Sequence, residues 1–378
     1  MSVLFQSNLV NYQSAIMRIL LIIFIFISIP GWGQSRWSEA QAKAWYDQQP
    51  WLVGSNFIPS NAINELEMWQ AESWDPATID RELGWAEKIG MNTMRVFLHD
   101  LLWNDSEAFK KRLNEFLAIC EKHHIKPMLV IFDSVWDPNP KLGKQRDPKP
   151  GVHNSGWMQS PGAAIANEKE YPRLEKYVKG VVAAFAKDQR ILAWDIWNEP
   201  DNVNTNIYQD PSNKVALIQK LLPQAFEWAR SAHPEQPLTC GVWKMNLDAK
   251  EPNDFETMQL NKSDIISFHC YGDPATFEKY VKMMSAYNRP VICTEYLARG
   301  FKSNFETILP IGKKYKIGMI NWGLVKGKTQ THLPWDSWQK PYVNGREPAV
   351  WHHEVFYPDG KPYKEEEVKV IRQLTSAK

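Results

Sequence analysis

Two carboxylates, each near the end of an apolar stretch of the chain, are the residues best suited to catalysis. Glu199 lies near the end of residues 191–200 (ILAWDIWNEP), and Glu295 lies near the end of residues 290–296 (PVICTEY). Both stretches are rich in apolar, aromatic and β-branched residues, as buried strands are, and Pro200 cannot continue a sheet ladder. In parallel α/β folds the carboxyl ends of strands carry ligands and catalytic residues. The sequence therefore predicts both glutamates at strand ends, although Asn-Glu-Pro alone could equally begin a loop or cap a helix.

These two stretches belong to a longer alternation of strands and helices. The predicted strands are residues 51–57, 92–98, 126–132, 191–200, 237–243, 264–271, 290–296 and 316–325. The predicted helices between them are residues 79–89, 107–123, 171–187, 213–231, a short piece near Phe255, 277–287 and 304–315. A lead-in helix at 37–49 and a charged last helix flank them. Such alternation predicts parallel pairing through right-handed crossovers.

Eight strand–helix rounds are enough to close a barrel. We therefore predict an α/β fold, a (β/α)8 TIM barrel in one domain, with long loops after strands 3 and 8. The length of 378 residues suits a barrel of about 250 residues with insertions. A doubly wound open sheet is the alternative.

Parallel strands in register place their last residues on one rim. The rim residues so predicted are Arg95, Asp133, Asn198, Glu199, Trp243, His269, Tyr271, Glu295 and Trp322. Two carboxylates facing each other across a barrel mouth suit glycoside hydrolysis, in which one acid protonates the leaving oxygen and one carboxylate faces the anomeric carbon. The two need different pKa values and hence different neighbours. Arg95 and Tyr271 are expected to keep Glu295 ionised, and Glu199 is expected to stay protonated. Taken singly, each rim residue is explained equally by packing or an ion pair.

Three motifs carry a family resemblance: WNEP at 197–200, TEY at 294–296 and HCY at 269–271. With them the chain, from about residue 51 to its last helix, resembles clan A glycoside hydrolases. It is closest to glycoside hydrolase family 5, the cellulase and mannanase family, with some likeness to the barrel domain of family 2. The resemblance implies that Glu199 is the general acid/base and Glu295 the nucleophile. It also implies substrate-binding or positioning roles for Asn198 (at the sugar 2-hydroxyl), Arg95 and Tyr271 (at the nucleophile), and His269 and Trp322 (at the sugar being cleaved).

The chain departs from the family pattern at two positions. Phe132-Asp133 stands where the family usually has His or Asn, and Trp197 stands where many members have His. Asp133 and Trp243 are nevertheless expected to contact the substrate. The expected activity is hydrolysis of β-linked polysaccharides or oligosaccharides of glucan, mannan or xylan type, with retention of configuration. The long loops could line an extended cleft for internal cutting or block one end of it.

Two other functions remain open from the sequence. One is a non-catalytic barrel that displays Trp136, Trp157, Trp243 and Trp335 to a polysaccharide. The other is a transglycosylase, which would use the same chemistry with a sugar acceptor.

Composition narrows the classes of partner and cofactor. With 44 Lys and Arg against 43 Asp and Glu, the chain has no basic field to attract nucleic acid. It contains no phosphate-binding, dinucleotide-binding or zinc-protease motif, and adjacent His352 and His353 lack a third ligand. We therefore expect no cofactor and no metal. The four cysteines show no disulfide or metal spacing, so buried free thiols are expected.

The N-terminus resembles an export signal. Arg18 precedes the apolar run at 19–29, and Pro30, Gly31 and Gly33 follow it. The run is shorter than the roughly 20 residues of a membrane span. We predict a signal peptide within residues 1–33, starting at Met17, and a mature domain from residue 34 that is secreted or periplasmic, monomeric and not stably inserted in a membrane. An uncleaved anchor is the alternative.

Overall fold

Strands and helices alternate along the chain. The computed structural model describes residues 34–203, 207–249 and 251–376. The strands are β1 Val53–Asn56, β2 Thr93–Phe97, β3 Lys126–Asp133, β4 Ala193–Asn198, β5 Leu238–Thr239, β6 Ile266–His269, β7 Val291–Glu295 and β8 Gly318–Trp322. The α-helices are α1 Glu39–Tyr46, α2 Glu65–Trp69, α3 Pro76–Lys88, α4 Ser106–Lys122, α5 Tyr171–Phe185, α6 Lys214–Ser231, α7 Asp254–Lys262, α8 Pro274–Ser285, α9 Phe305–Lys314 and α10 Glu365–Ser376.

The eight strands form a nearly closed parallel barrel. Their order is β5-β4-β3-β2-β1-β8-β7-β6, and every pair within it is parallel. No ladder joins the described strands β5 and β6, but a single parallel bridge from Val242 to Phe268 spans the gap between them. The predicted (β/α)8 barrel is therefore confirmed, and the doubly wound alternative is wrong.

Helix α5 shows how a helix between two strands packs on the outside of the barrel. In α5 the buried residues recur at helical spacing, as an amphipathic helix on a sheet requires; they are Leu174, Tyr177, Val178, Val181, Val182 and Phe185. Tyr177 packs on Phe132 of β3 at a ring distance of 5.8 Å and donates to the Ile131 carbonyl at 3.1 Å. Helix starts are fixed by side-chain caps such as Asp75 before α3 and Asn253 before α7.

One predicted strand is much shorter in the structure. The prediction gave strand 5 residues 237–243, whereas the ladder covers only Leu238–Thr239. The ladder ends because the Cys240 amide donates to the Ser263 hydroxyl at 3.1 Å instead of to a neighbouring strand. Helix α2 was not predicted. It is only five residues long, which is too short for a periodic signal.

Loop 3 (residues 134–170) and loop 8 (residues 323–364) pack on each other above the carboxyl ends of the strands. Hydrogen bonds join them from Asn154 N to Thr329 O at 2.7 Å, His153 N to Ser337 Oγ at 2.9 Å, and Tyr342 N to Gly151 O at 2.9 Å. Two loops that are far apart in sequence thus form one continuous structure over the mouth.

Cys120, Cys240, Cys270 and Cys293 are all buried free thiols, as predicted. Within the described ranges, no helix is both long enough and apolar enough to cross a membrane. The predicted signal peptide at 1–33 lies outside the described residues, so its cleavage and the export of the chain stay predictions.

Candidate active site

A cavity of about 300 Å³ opens at the carboxyl ends of the strands. It is lined by Asp133, Val135, Trp136, His153, Asn154, Trp157, Asn198, Glu199, Asn202, Trp243, Tyr271, Glu295, Trp322, Trp335 and His353. Six of these side chains are tryptophan or tyrosine rings, and three are carboxylates. A mainly aromatic cavity with a few polar groups at its base is typical of a ligand site.

Glu295, the last residue of β7, is held by hydrogen bonds to both of its oxygens. Its Oε1 accepts from Arg95 Nη1 at 2.8 Å, and its Oε2 accepts from the Tyr271 hydroxyl at 2.7 Å. Burial raises the pKa of this carboxyl above its ordinary value and the neighbouring Glu199 adds to the increase, while the charge of Arg95 and the hydrogen bond from Tyr271 oppose it. The expected contacts of Arg95 and Tyr271 are therefore present, but they act against a strong effect of burial.

Arg95 on β2 connects the strands beneath the cavity. The side chain is fully buried, and its Nε and Nη2 donate to Asp195 Oδ2 at 2.9 and 2.7 Å. Its Nη1 also donates to Asn56 Oδ1 at 3.0 Å, and its Nη2 donates to Asn198 Oδ1 at 2.7 Å. A buried guanidinium needs such partners, because an unpaired buried charge is very costly. Arg95 thus fixes the position of Glu295 relative to β1 and β4.

Glu199 lies one residue beyond β4 in a different electrostatic environment. Its backbone has φ +43°, in the left-handed region that side chains other than glycine rarely adopt. Its Oε2 accepts from Asn202 Nδ2 at 2.6 Å, and its Oε1 lies 2.8 Å from His269 Nδ1. Burial raises the pKa of Glu199 to about 7, with Asn202 opposing the increase. Burial likewise lowers the pKa of His269 to about 4, so this ring is neutral near pH 7.

The two glutamates approach each other closely. One ligand atom each from Glu199, His269 and Glu295 lies within 4.8 Å of the others. Among the described residues, this trio is the set of His, Cys, Asp and Glu side chains close enough to share a metal ion. Carboxyl groups about 5–5.5 Å apart suit a displacement in which one of them attacks the sugar, whereas about 6.5–9.5 Å leaves room for an attacking water. The geometry can therefore place one carboxylate and one carboxylic acid on a single anomeric carbon.

Asn198 and Asp133 form a polar edge of the cavity. Asn198 accepts from Arg95 through Oδ1 and donates from Nδ2 to Asp133 Oδ1 at 2.8 Å. Asp133 Oδ2 accepts from Trp157 Nε1 at 2.6 Å, and burial raises the pKa of Asp133 to about 6. The Asn198 amide keeps one hydrogen available for a ligand, since Nδ2 carries two.

Aromatic side chains line the cavity around these polar groups. Trp322, at the end of β8, packs edge-on against Phe97 at 5.9 Å and Trp157 at 5.8 Å. Trp243, beyond β5, donates from Nε1 to Asp201 Oδ1 at 2.7 Å. Both rings line the cavity.

The structure brings all nine predicted residues together at one end of the barrel. Seven of them line the cavity; Arg95 and His269 lie beneath its surface and are 0 % and 1 % exposed. His269 contacts the two glutamates, and its place in the subsite of the sugar being cleaved stays a prediction. His352 is buried behind the Trp335 ring at 4.5 Å, whereas Trp335 and His353 line the cavity.

Several residues of the site were missed by the sequence prediction. Asp195 had a usable signal, because a carboxylate in the middle of an apolar strand needs a buried partner. Asn202 follows Glu199 by three residues, but nothing in its spacing indicated a contact. His153 and Asn154 lie in loop 3, where no periodicity operates.

Three comparisons with known proteins bear on this arrangement. Residues 65–340, well over half of the chain, match the sequence model of the family described as Cellulase (glycosyl hydrolase family 5). The chain is 21% identical over 281 residues to "Probable mannan endo-1,4-beta-mannosidase F" of Aspergillus flavus and to the protein of the same name in Aspergillus oryzae. The match covers 61% of this chain and 56% of each relative, so the chain spans about half the length of these curated relatives.

Solved structures show the same fold at low sequence identity. An exo-beta-1,4-mannosidase from an Opitutaceae bacterium superposes with a TM-score of 0.56 at 18% identity, over 86% of this chain and 59% of that one. An endo-1,4-beta-mannanase from Rhizomucor miehei gives 0.54 at 12% identity, over 85% and 97%. From its match to the family model over residues 65–340, the chain belongs to glycosyl hydrolase family 5.

Proposed function

We propose that this protein is a retaining β-glycosidase that hydrolyses β-1,4-linked mannosyl polysaccharides or oligosaccharides. The observation that carries the proposal is the pairing of Glu199 and Glu295 within 4.8 Å in contrasting surroundings. Arg95 donates to Glu295, whereas Glu199 accepts from the neutral amide of Asn202. A positive partner favours the ionised form, and burial without one favours the protonated form. Glu295 is thereby suited to be the nucleophile and Glu199 the acid.

The reaction follows from these two states. The Glu295 carboxylate attacks the anomeric carbon while Glu199 gives its proton to the departing glycosidic oxygen, which produces a covalent glycosyl ester and releases the aglycone. Glu199, now a carboxylate, takes a proton from water as that water attacks the anomeric carbon and displaces Glu295. Two inversions at one carbon preserve the configuration.

The remaining residues have supporting roles in this proposal. Tyr271 and Arg95 hold Glu295 in line with the anomeric carbon, and Asn198 offers its free amide hydrogen to the sugar 2-hydroxyl. Trp322 provides an apolar surface for the pyranose ring. Asp133 accepts hydrogen bonds from Asn198 and Trp157, which orients both toward the sugar.

The mannosyl preference is the finer part of the proposal. Its support is that both curated relatives carry the name of a mannan endo-1,4-beta-mannosidase. Glucan and xylan are the rival substrates. Initial rates on aryl β-mannoside, β-glucoside and β-xyloside, measured side by side, decide among them, and a mannoside rate below either of the other two would contradict the assignment.

The mechanism is tested by trapping and by product stereochemistry. A 2-deoxy-2-fluoro glycoside with a good leaving group should label one peptide, the one that contains Glu295, and NMR of early product should show the β anomer. Glu295→Gln should lower kcat by at least ~10⁴-fold, as loss of a nucleophile does, while oligosaccharide binding persists. Glu199→Ala should be rescued in part by azide. Release of the α anomer, or a near-normal rate for Glu295→Gln, would contradict the mechanism.

We also propose that the chain is exported and that the mature protein is a monomer. The apolar run at 19–29 with its preceding Arg18 supports export. N-terminal sequencing and gel filtration of the protein recovered from the medium or periplasm test both points; a cytoplasmic product that begins at residue 17 or earlier would contradict export.

A further inference from the structure

The rim of the cavity is closed on one side by a chain of rings that we name the aromatic collar. It runs from Tyr208 after β4 through Trp338, Trp136, His153 and Trp335 to Tyr271 after β6. Successive ring distances along it are 5.8, 5.1, 6.1, 6.4 and 5.3 Å. The hydrogen bonds between loop 3 and loop 8 hold the collar together from behind. The collar thus links loop 3 and loop 8 to Tyr208 after β4 at one end and to Tyr271 after β6 at the other.

The end of β5 is not part of the collar. Trp243 lines the cavity there, and in the described part of the chain no ring contact joins it to a collar residue. Its indole is instead held by Asp201, two residues beyond Glu199. Since Glu199 follows β4 and Glu295 ends β7, a line between the two glutamates divides the mouth into a closed half under the collar and an open half beside Trp243.

The proposed reaction determines which half holds which part of the substrate. After the first step the glycosyl unit is bonded to Glu295, the aglycone has to leave, and water has to reach the same carbon. A leaving group in the closed half would be trapped behind the attached sugar, whereas one in the open half can depart and be replaced by water. The glycone therefore occupies the closed half and the aglycone the open half.

The closed half has room for very little glycone. The cavity measures about 300 Å³ in all, and this space has to hold sugar on both sides of the two glutamates, so the closed half is only a part of it. Beyond the collar, a separate groove of about 550 Å³ shares Trp335 and Tyr271 with the cavity. The Trp335 ring stands between the two spaces, packed on Tyr271 at 5.3 Å and on the 54 % exposed Phe301 at 5.4 Å.

Building on the proposed glycosidase activity, we infer that the enzyme acts from the non-reducing end of its substrate and releases one sugar at a time, with Trp335 as the barrier that excludes a longer glycone. A chain cannot thread through the mouth, because the collar ends the glycone side after a single unit. Removing the Trp335 ring joins the cavity to the outer groove and gives a longer glycone a path.

The experiment compares two versions of one β-1,4-linked oligosaccharide, one free and one blocked at the non-reducing end by a 4,6-O-benzylidene group. Wild-type enzyme should release only monosaccharide from the free form at early times and should cleave the blocked form at least ~100-fold more slowly. Trp335→Ala should cleave the blocked form at least ~10-fold faster than wild type does. Phe301→Ala is the matched control; it removes a ring that touches Trp335 from outside the cavity and should leave the block effective.

The outcomes separate this inference from the proposed function. Cleavage of the blocked form by wild-type enzyme, or oligomers as first products, would overturn the exo inference while the glycosidase activity stands. A folded Trp335→Ala variant that gains nothing would overturn Trp335 as the barrier. Inactivity on aryl β-mannoside, β-glucoside and β-xyloside alike would overturn the proposed function, and the exo inference with it. The wild-type comparison alone decides the exo question if the variant does not fold, as judged by circular dichroism.

Discussion

The hydrogen bond from Asn202 to Glu199 sets a testable limit on the pH range of activity. Asn202 Nδ2 donates to Glu199 Oε2 at 2.6 Å, and this bond favours the ionised form of a carboxyl whose pKa burial has raised to about 7. Removing the donor should therefore raise the pKa of Glu199 further. Asn202→Leu removes it while keeping the size of the side chain, which limits the entry of water.

The size of the expected pKa change follows from the free energy that one hydrogen bond contributes. A bond to a charged group contributes about 1.5 kcal/mol or somewhat more, and one pKa unit corresponds to about 1.4 kcal/mol. The pKa of Glu199 should thus rise by about one unit. Because the protonated form of Glu199 donates the proton, the alkaline limb of kcat/KM should move upward from near pH 7 to near pH 8.

The assay is the pH profile of kcat/KM on an aryl glycoside with a poor leaving group, for which protonation limits the rate. Asn154→Ala is the control, since Asn154 lines the same cavity and makes none of the hydrogen bonds found to Glu199; its alkaline limb should stay in place. An alkaline limb of Asn202→Leu that does not move, or that moves to lower pH, would refute the assignment of Glu199 as the acid whose pKa Asn202 lowers.

Two further predictions concern stability. Glu367→Ala on α10 leaves Arg299 buried without the carboxylate that it contacts at 2.7 and 2.5 Å. It should lower the free energy of unfolding in urea by about 3–5 kcal/mol. Substitution of the exposed Glu366 on the same helix by Ala is the control, and equal effects of the two substitutions would contradict the prediction. Burial raises the pKa of Glu354 from 4.5 to about 8, so its contribution to stability is present below pH 4.5 and is lost as the pH rises through 8. Relative to wild type, Glu354→Gln should therefore gain a few kcal/mol in urea unfolding between pH 5 and pH 8, and a difference that is independent of pH would count against it.

The parts of the site that the sequence predicts are those carried by strands. Buried parallel strands have a composition that can be read directly, and their carboxyl ends share one rim by topology, so Glu199 and Glu295 could be paired across 96 residues of sequence. Strand 5 was overestimated because its apolar run continues past the point where the Ser263 hydroxyl takes the Cys240 amide. A single side-chain hydrogen bond of this kind leaves no trace in a hydrophobic pattern.

The collar could not be predicted, because it depends on contacts between loops. Trp136 and Trp338 stack at 5.1 Å although about two hundred residues separate them, and neither loop has a period that fixes its conformation. The sequence did show long loops after strands 3 and 8, and it left an extended cleft and a blocked pocket equally open. The sequence thus indicated which residues share the rim, whereas the shape of the cavity depends on loop packing that appears only in three dimensions.

The charges around the glutamates explain why one of them is ionised and the other protonated in the proposed mechanism. Arg95 is balanced by Asp195 at 2.7 Å, and His269 is neutral near pH 7 because burial lowers its pKa to about 4. With Glu295 ionised and Glu199 protonated, the group formed by Arg95, Asp195, His269 and the two glutamates carries one net negative charge. Ionising both glutamates within 4.8 Å of each other would add a second, which burial opposes.

The proposed first step keeps that net charge constant. Glu295 loses its charge as it forms the ester, and Glu199 gains one as it gives up its proton, so a single negative charge moves from the end of β7 to the end of β4. His269 Nδ1 lies 3.4 Å from Glu295 Oε2 and 2.8 Å from Glu199 Oε1, close to both positions of that charge. Once Glu295 is esterified it carries no charge. Glu199 is then the only free carboxylate of the pair, and it can take the proton from water.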